Sequence, residues 1–254
     1  MRKRFGNEVI QALLEKNSEL CFDVYKKTQE LPMTETELEF SVQGYILNGL
    51  LNGSDVLITC FHGSVPCLLK VLNERETTRI RELENSTTLD FAHITKFTLH
   101  DSNSRTYMIM PFYPSSLENM KTLFPVVGLK LLNQLIGSLT QLHDIGFAHM
   151  DVKSSNICVN ESGNFILIDL GSVAPLGRKS SSTHVCLPDD MHNRHENYQY
   201  TSSANIDWWM LAMVYVEKVH DVKIGGRLKS PTCKVIRELV KGTPIEILLD
   251  EASN

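Results

Sequence analysis

The chain has 254 residues, 42% hydrophobic and 22% charged, with a formal net charge of −5. Such a composition belongs to a folded globular protein, one large domain or two small lobes, able to bury most of its apolar surface without cross-links. The mildly acidic balance gives no footprint for nucleic acid, which would need a basic stripe, so any phosphate must be held by a local site. No run approaches the roughly 18 apolar residues of a membrane span, so no membrane partner is expected. Six cysteines are scattered without a C-x-x-C pair, and read as reduced, buried thiols of an intracellular protein, cytoplasmic or nuclear. The start, "MRKRFGNEVIQALLEK", is interrupted by Asn7, Glu8 and Gln11 and does not read as a signal peptide.

Residues 5–30 predict an amphipathic helix, with Phe5, Val9, Leu13 and Leu14 at helical spacing and Pro32 beyond it. Between 44 and 72 the period changes. "YILNGLL", "DVLITCFHG" and "VPCLLKVLN" are short apolar runs broken by turn residues, which predicts three consecutive antiparallel strands. "ERETTRIRELENS" has helical character, and two more strands follow, joined by a turn at Asp101–Ser104. After Pro111 the pattern turns mostly helical. Leu129, Leu132, Leu135, Leu139 and Leu142 share one helix face, and Gly146 stops the helix. "NICVN" and "NFILIDL" predict strands, and "IDWWMLAMVYVEKV" is too apolar for a surface helix. The expected plan is a helical extension over 1–40, a strand-rich lobe over 41–110, and a hinge with a helical lobe over 111–254.

One loop gathers polar groups of fixed direction. "HMDVKSSNICV" carries His149, Asp151, Lys153 and Asn156 as H-x-D-x-K-x-x-N. Upstream, Lys70 ends the third predicted strand. Thirteen residues after Asn156 comes Asp169 in "IDLG", closing an apolar strand, and Asp207 opens the buried helix. In this order and on these elements, the series resembles the protein kinase family over roughly residues 44–220. The resemblance implies an α+β, bilobal fold with an antiparallel-sheet N-lobe and a mainly helical, shortened C-lobe.

It also implies ATP and Mg²⁺ as cofactors, a protein substrate, and transfer of the γ-phosphate to a serine or threonine hydroxyl. Phosphoryl transfer asks for a triphosphate held in line with a hydroxyl and for its charge to be neutralised. By resemblance, Asp151 accepts the hydroxyl proton and Lys153 touches the transferring phosphate. Asn156 and Asp169 hold the metal, and Lys70 holds phosphates while pairing with a helix glutamate. Counting back from a strand expected near Ile94 gives Glu82 for that partner, with Glu84 and Glu76 as alternatives. Met110 falls at the gatekeeper position, and the carbonyl of Pro111 and N–H of Tyr113 face adenine. Gly49 and Val56 flank the nucleotide.

The pattern also departs from the family. "GLLNGSDV" keeps Gly49 but places Leu51 and Ser54 where glycines let backbone N–H groups approach phosphate. Met150 replaces the usual Arg, which excludes the usual pairing with a phosphorylated activation segment. Thr183 and Leu187–Asp190 are the nearest matches to activation-segment landmarks, and the chain is short beyond Asp207. A regulatory partner on the N-terminal helix or the shortened lobe is therefore an expectation. Two other readings remain open: a pseudokinase scaffold that binds nucleotide weakly or not at all, and a small-molecule kinase, against which Lys153 argues. His192 and His195, near Cys186 and Asp190, are spaced too loosely to read as a metal site.

Overall fold

The alternating segments between Tyr45 and Pro111 fold as a single antiparallel sheet. The structure is a computed structural model and describes residues 40, 44–50, 57–86, 91–102, 105–181 and 199–220. Strands β1 (Tyr45–Leu50), β2 (Leu57–His62), β3 (Val65–Leu72), β4 (Thr98–Ser102) and β5 (Arg105–Pro111) lie in the order β1-β2-β3-β5-β4. Side chains alternate across the pleat. Ile58, Cys60, Cys67, Leu69, Tyr107 and Ile109 therefore share one face, buried with Phe40 and Leu47. Lys70 has the opposite parity to Leu69 and stands in register with Met108 of β5.

Helix α1 (Glu74–Ser86) follows β3 after a single residue, Asn73. The Asn73 Oδ1 accepts the Glu76 N–H at 2.9 Å, and Glu76 Oε2 accepts the Asn73 N–H at 3.1 Å. This reciprocal pair satisfies two N–H groups that a helix start otherwise leaves unbonded.

The chain divides into two compact units, one of Met1–Thr77 with Lys96–Pro114 and one of Thr78–Thr95 with Ser115–Asn254. The second is built on helices α2 (Pro125–Asp144) and α3 (Ala204–His220). Proline suits the first turn of α2, where its missing N–H costs nothing. Leu131, Leu132, Leu135, Leu139 and Leu142 are buried along this helix, and Leu129 is partly exposed. Helix α3 is buried almost all round from Ile206 to Val216, as its apolar sequence requires. Short antiparallel pairs complete the unit: β6 (Phe147–Ala148) with β9 (Ala174–Pro175), β7 (Ile157–Val159) with β8 (Phe165–Leu167), and β10 (Lys179–Ser181) with β11 (Gln199–Thr201).

Gly128 of α2 packs directly against α3. A Cβ placed there would lie 2.4 Å from Val219 Cγ2 and 3.0 Å from Tyr215 Cε2. Alanine is the better helix former by about 1 kcal/mol, but overpacking costs about 1–3 kcal/mol. Gly128→Ala is expected to lower the melting temperature, and Gly128→Leu to lower it further. Unchanged melting in both variants would show that the Val219 and Tyr215 side chains shift aside at no cost.

The cysteines inside the described residues, Cys60, Cys67 and Cys158, are free and buried. Burial pushes the Cys158 thiol up to about 11, so it stays protonated near neutral pH. Among the described residues, no helix is long and apolar enough to cross a membrane, and no group of three or more His, Cys, Asp or Glu is placed to hold a metal ion. The N-terminal helix expected over 5–30, the loop from Leu51 to Val56, the segment carrying Thr183, Cys186, Leu187–Asp190, His192 and His195, and the tail from 221 onward lie outside the described residues.

Candidate active site

The H-x-D loop is held from below by one carboxylate. Asp207, fully buried in the first turn of α3, accepts the His149 N–H at Oδ2 and the Met150 N–H at Oδ1, both at 2.7 Å. The His143 Nε2 lies 2.9 Å from the same Oδ2. Two backbone donors and a ring nitrogen satisfy a charge that water never reaches. His149, also fully buried, links the loop to the strand beside it. Its Nδ1 accepts the Asp151 N–H at 3.3 Å, which assigns the ring proton to Nε2, 3.1 Å from the Ile168 carbonyl. His149 and Asp207 thus both hold the loop by its backbone. Met150 is fully buried with φ 68°, one of two described non-glycine residues with positive φ.

Above this support stands a cluster of three polar side chains. Asp151 Oδ2 accepts from Lys153 Nζ at 2.8 Å and from Asn156 Nδ2 at 2.9 Å. Asn156 Nδ2 also donates to the Asp151 carbonyl at 2.9 Å. A short 3₁₀ turn, Ser154–Asn156, makes this possible by bending the chain back so that Asn156 N–H reaches the Lys153 carbonyl. Asp151 and Asn156 are 7% and 6% exposed, and their polar atoms are met by protein partners.

The spacing between Asn156 and Asp169 has a simple cause. Strands β7 and β8 form a hairpin, with Ile157 opposite Leu167. Asn160 Oδ1 closes its tip by accepting the N–H groups of Ser162 and Asn164, and Gly163 takes φ 71° there. A hairpin returns its two ends to the same place. Ile168 N–H donates to the Asn156 carbonyl at 2.8 Å, and Asp169 comes next. Asp169 is the second residue at positive φ (60°), and its Oδ1 accepts the Gly171 N–H at 3.2 Å. Left-handed backbone costs an ordinary residue free energy, and such positions gather at functional sites. Here both occur in the two segments that carry the candidate residues.

The donor set fits a hard cation. The Nδ2 of Asn156 donates to two Asp151 oxygens, which leaves the amide Oδ1 as the neutral oxygen this residue could offer a metal. Asp169 adds a partly exposed carboxylate. One carboxylate and one amide oxygen suit Mg²⁺, which keeps waters and takes its remaining ligands from phosphate.

The first unit carries the candidate phosphate-binding lysine, and here the expected pairing is corrected. Lys70 Nζ lies 2.9 Å from Glu76 Oε1, both side chains largely buried. Glu82 instead meets Arg178 Nη1 at 3.1 Å on a more exposed face. The count that selected Glu82 assumed a strand near Ile94. That residue makes only an isolated bridge to Leu167, and β4 begins at Thr98. Glu76 was an alternative, and the cap at Asn73 is what holds it beside the end of β3. Met110 is buried near the end of β5, Pro111 ends that strand exposed, and Tyr113 is partly exposed just beyond. Gly49 pairs with Thr59 after an irregularity in β1, and Val56 lies outside the described residues.

These positions can be set beside known proteins. The profile of the protein kinase domain matches residues 67–238, more than half of the chain. The chain belongs to the protein kinase family. Citron Rho-interacting kinase of Mus musculus is 26% identical over 96 residues, 35% of this chain and 5% of that protein. Serine/threonine-protein kinase VRK1 of Caenorhabditis briggsae is 35% identical over 83 residues, 30% of this chain and 15% of the relative. Cell cycle protein kinase DBF2 of Candida albicans is 25% identical over 122 residues, 42% of this chain and 17% of the relative. The chain thus spans less than a fifth of the length of each of these three relatives. The α+β architecture expected for the protein kinase family agrees with the antiparallel sheet and the helices described above.

The pairing at Lys70 leads to a direct test. Glu76→Ala removes the ion-pair partner and one half of the helix cap, so it is expected to raise the KM for ATP severalfold and to lower stability by about 1 kcal/mol. Glu82→Ala removes an exposed pair and is expected to change both little. Nucleotide-dependent thermal shifts of the two variants check this. The opposite ranking would restore Glu82 as the partner.

Proposed function

We propose that this kinase-family chain transfers the γ-phosphate of ATP to a serine or threonine hydroxyl of a protein. The observation that carries the reading is the Asp151 carboxylate, steered by Lys153 and Asn156 on a loop hung from Asp207. In this reading Asp151 accepts the proton of the attacking hydroxyl. Lys153 offers its ammonium to the transferring phosphate, and Lys70, balanced by Glu76, holds the phosphates of ATP. Asn156 and Asp169 hold Mg²⁺, which supplies charge neutralisation when bound. The gatekeeper and adenine-facing roles of Met110, Pro111 and Tyr113, and those of Gly49 and Val56, belong to the same proposal. The names of the serine/threonine-kinase relatives and the placement of Lys153 support a hydroxyl of serine or threonine.

The test is transfer of labelled phosphate from ATP to a basic polypeptide rich in serine and threonine, followed by identification of the phosphorylated residue. Label is expected on serine or threonine, lost with a chelator and restored by excess Mg²⁺. Label confined to tyrosine, or transfer indifferent to the chelator, would overturn the assignment. A pseudokinase scaffold is the second reading, favoured by the leucine and serine that stand in the glycine loop. It predicts no transfer, with weak stabilisation by ATP or none.

A further inference from the structure

The turn between Lys153 and Asn156 is held by a residue far away in sequence. Ser154 is 5% exposed, and its hydroxyl donates to Glu217 Oε2 at 2.5 Å. Glu217 stands in the last turn of α3, its side chain 24% exposed. That end of α3 is itself fixed. Lys218 Nζ lies 3.6 Å from Glu217 Oε1 and 3.4 Å from the carbonyls of Glu118 and Met120. The Leu123 N–H donates to the Lys218 carbonyl at 2.6 Å. A carboxylate held in this way is a fixed point to which a neighbouring turn can be tied.

Ser154 lies between the two residues that steer Asp151. Lys153 before it and Asn156 two residues after it both donate to Asp151 Oδ2. Rotation of the turn would move both donors together. We infer that Glu217 is a positioning residue which, through the Ser154 hydroxyl, fixes the Lys153–Asn156 turn and so the direction of the Asp151 carboxylate. Both residues would act through Lys153 and Asn156. The inference rests on the phosphotransfer reading for its effect on rate, but its effect on the turn can be read separately.

The experiment compares Ser154→Ala, Glu217→Ala, the double variant and Glu217→Gln in the full chain. It measures kcat, KM for ATP, melting temperature and hydrogen exchange of the 149–158 segment. Loss of one charge-assisted hydrogen bond that acts only on the oriented state is expected to lower kcat about tenfold in each alanine variant, with KM for ATP within about twofold. The double variant is expected to match the single ones, because both break the same link. Glu217→Gln still offers Ser154 an acceptor oxygen and is expected to stay within about threefold of the parent.

Full kcat in both alanine variants, whatever their melting temperatures, would overturn the inference. So would losses that multiply in the double variant. If the parent chain transfers no phosphate, the proposed function fails by itself, and exchange at the Asn156 amide decides the inference. Faster exchange in the alanine variants with parent-like exchange in Glu217→Gln would uphold it. Unchanged exchange in all of them would end it.

Discussion

Asp151→Asn is expected to lower phosphate transfer by about 10²–10⁴-fold, the usual worth of a positioned general base. The substitution is nearly isosteric. It keeps an oxygen for Lys153 and Asn156 to approach, so the loop should keep its shape. What it removes is the capacity to accept a proton, together with the charge that Lys153 balances across 2.8 Å. Asp151→Ala should fall at least as far. Measuring kcat beside the melting temperature separates chemistry from folding. An asparagine variant that kept more than a tenth of the parental rate would remove Asp151 from the proton transfer.

Asp207→Ala should have the largest effect on the fold. It strands the N–H groups of His149 and Met150 and the Nε2 of His143 at a site where Asp207 is 0% exposed. Breaking a buried, hydrogen-bonded charge site costs about 3–5 kcal/mol. That is a large share of the roughly 5–15 kcal/mol that holds a domain together. At about 2–4 °C per kcal/mol for a chain of this size, the melting temperature should fall by about 10 °C, or the protein should fail to accumulate. Asp207→Asn should lie between, since its amide keeps one acceptor oxygen while its NH₂ faces a donor. Thermal melts and exchange at the His149 and Met150 amides check the ranking. An alanine variant that melted like the parent would mean that the loop is supported elsewhere.

Much of this was legible from residue order. The five strands follow from short apolar runs broken by turn residues and the helices from three-to-four-residue spacing, and α3 declared its burial by apolar residues on every side. The order Lys70, Asp151, Lys153, Asn156, Asp169 marked the candidate site because polar residues of these types recur at fixed spacing beside apolar strands. Pairings made across distance were not legible. Ser154 and Glu217 are 63 positions apart; the first fills an unspecified position of the H-x-D-x-K-x-x-N run and the second stands in no motif. His143 lies within α2, with only its helical position to distinguish it, yet it meets Asp207. The Lys70 partner was misjudged for a more local reason. A count from the next strand cannot see that Asn73 caps α1, and the cap puts Glu76 beside the end of β3.

That capped turn constrains how the clamp behaves. Lys70 and Glu76 are six residues apart, and the hydrogen bonds between Asn73 and Glu76 already close the segment between them. Closing so short a loop loses little chain entropy. The contact is complete once the end of β3 and the first turn of α1 exist, ahead of any pairing between distant strands. Glu76 therefore stands beside the lysine from the time this segment folds, and no rearrangement of distant strands is needed to bring the two charges together.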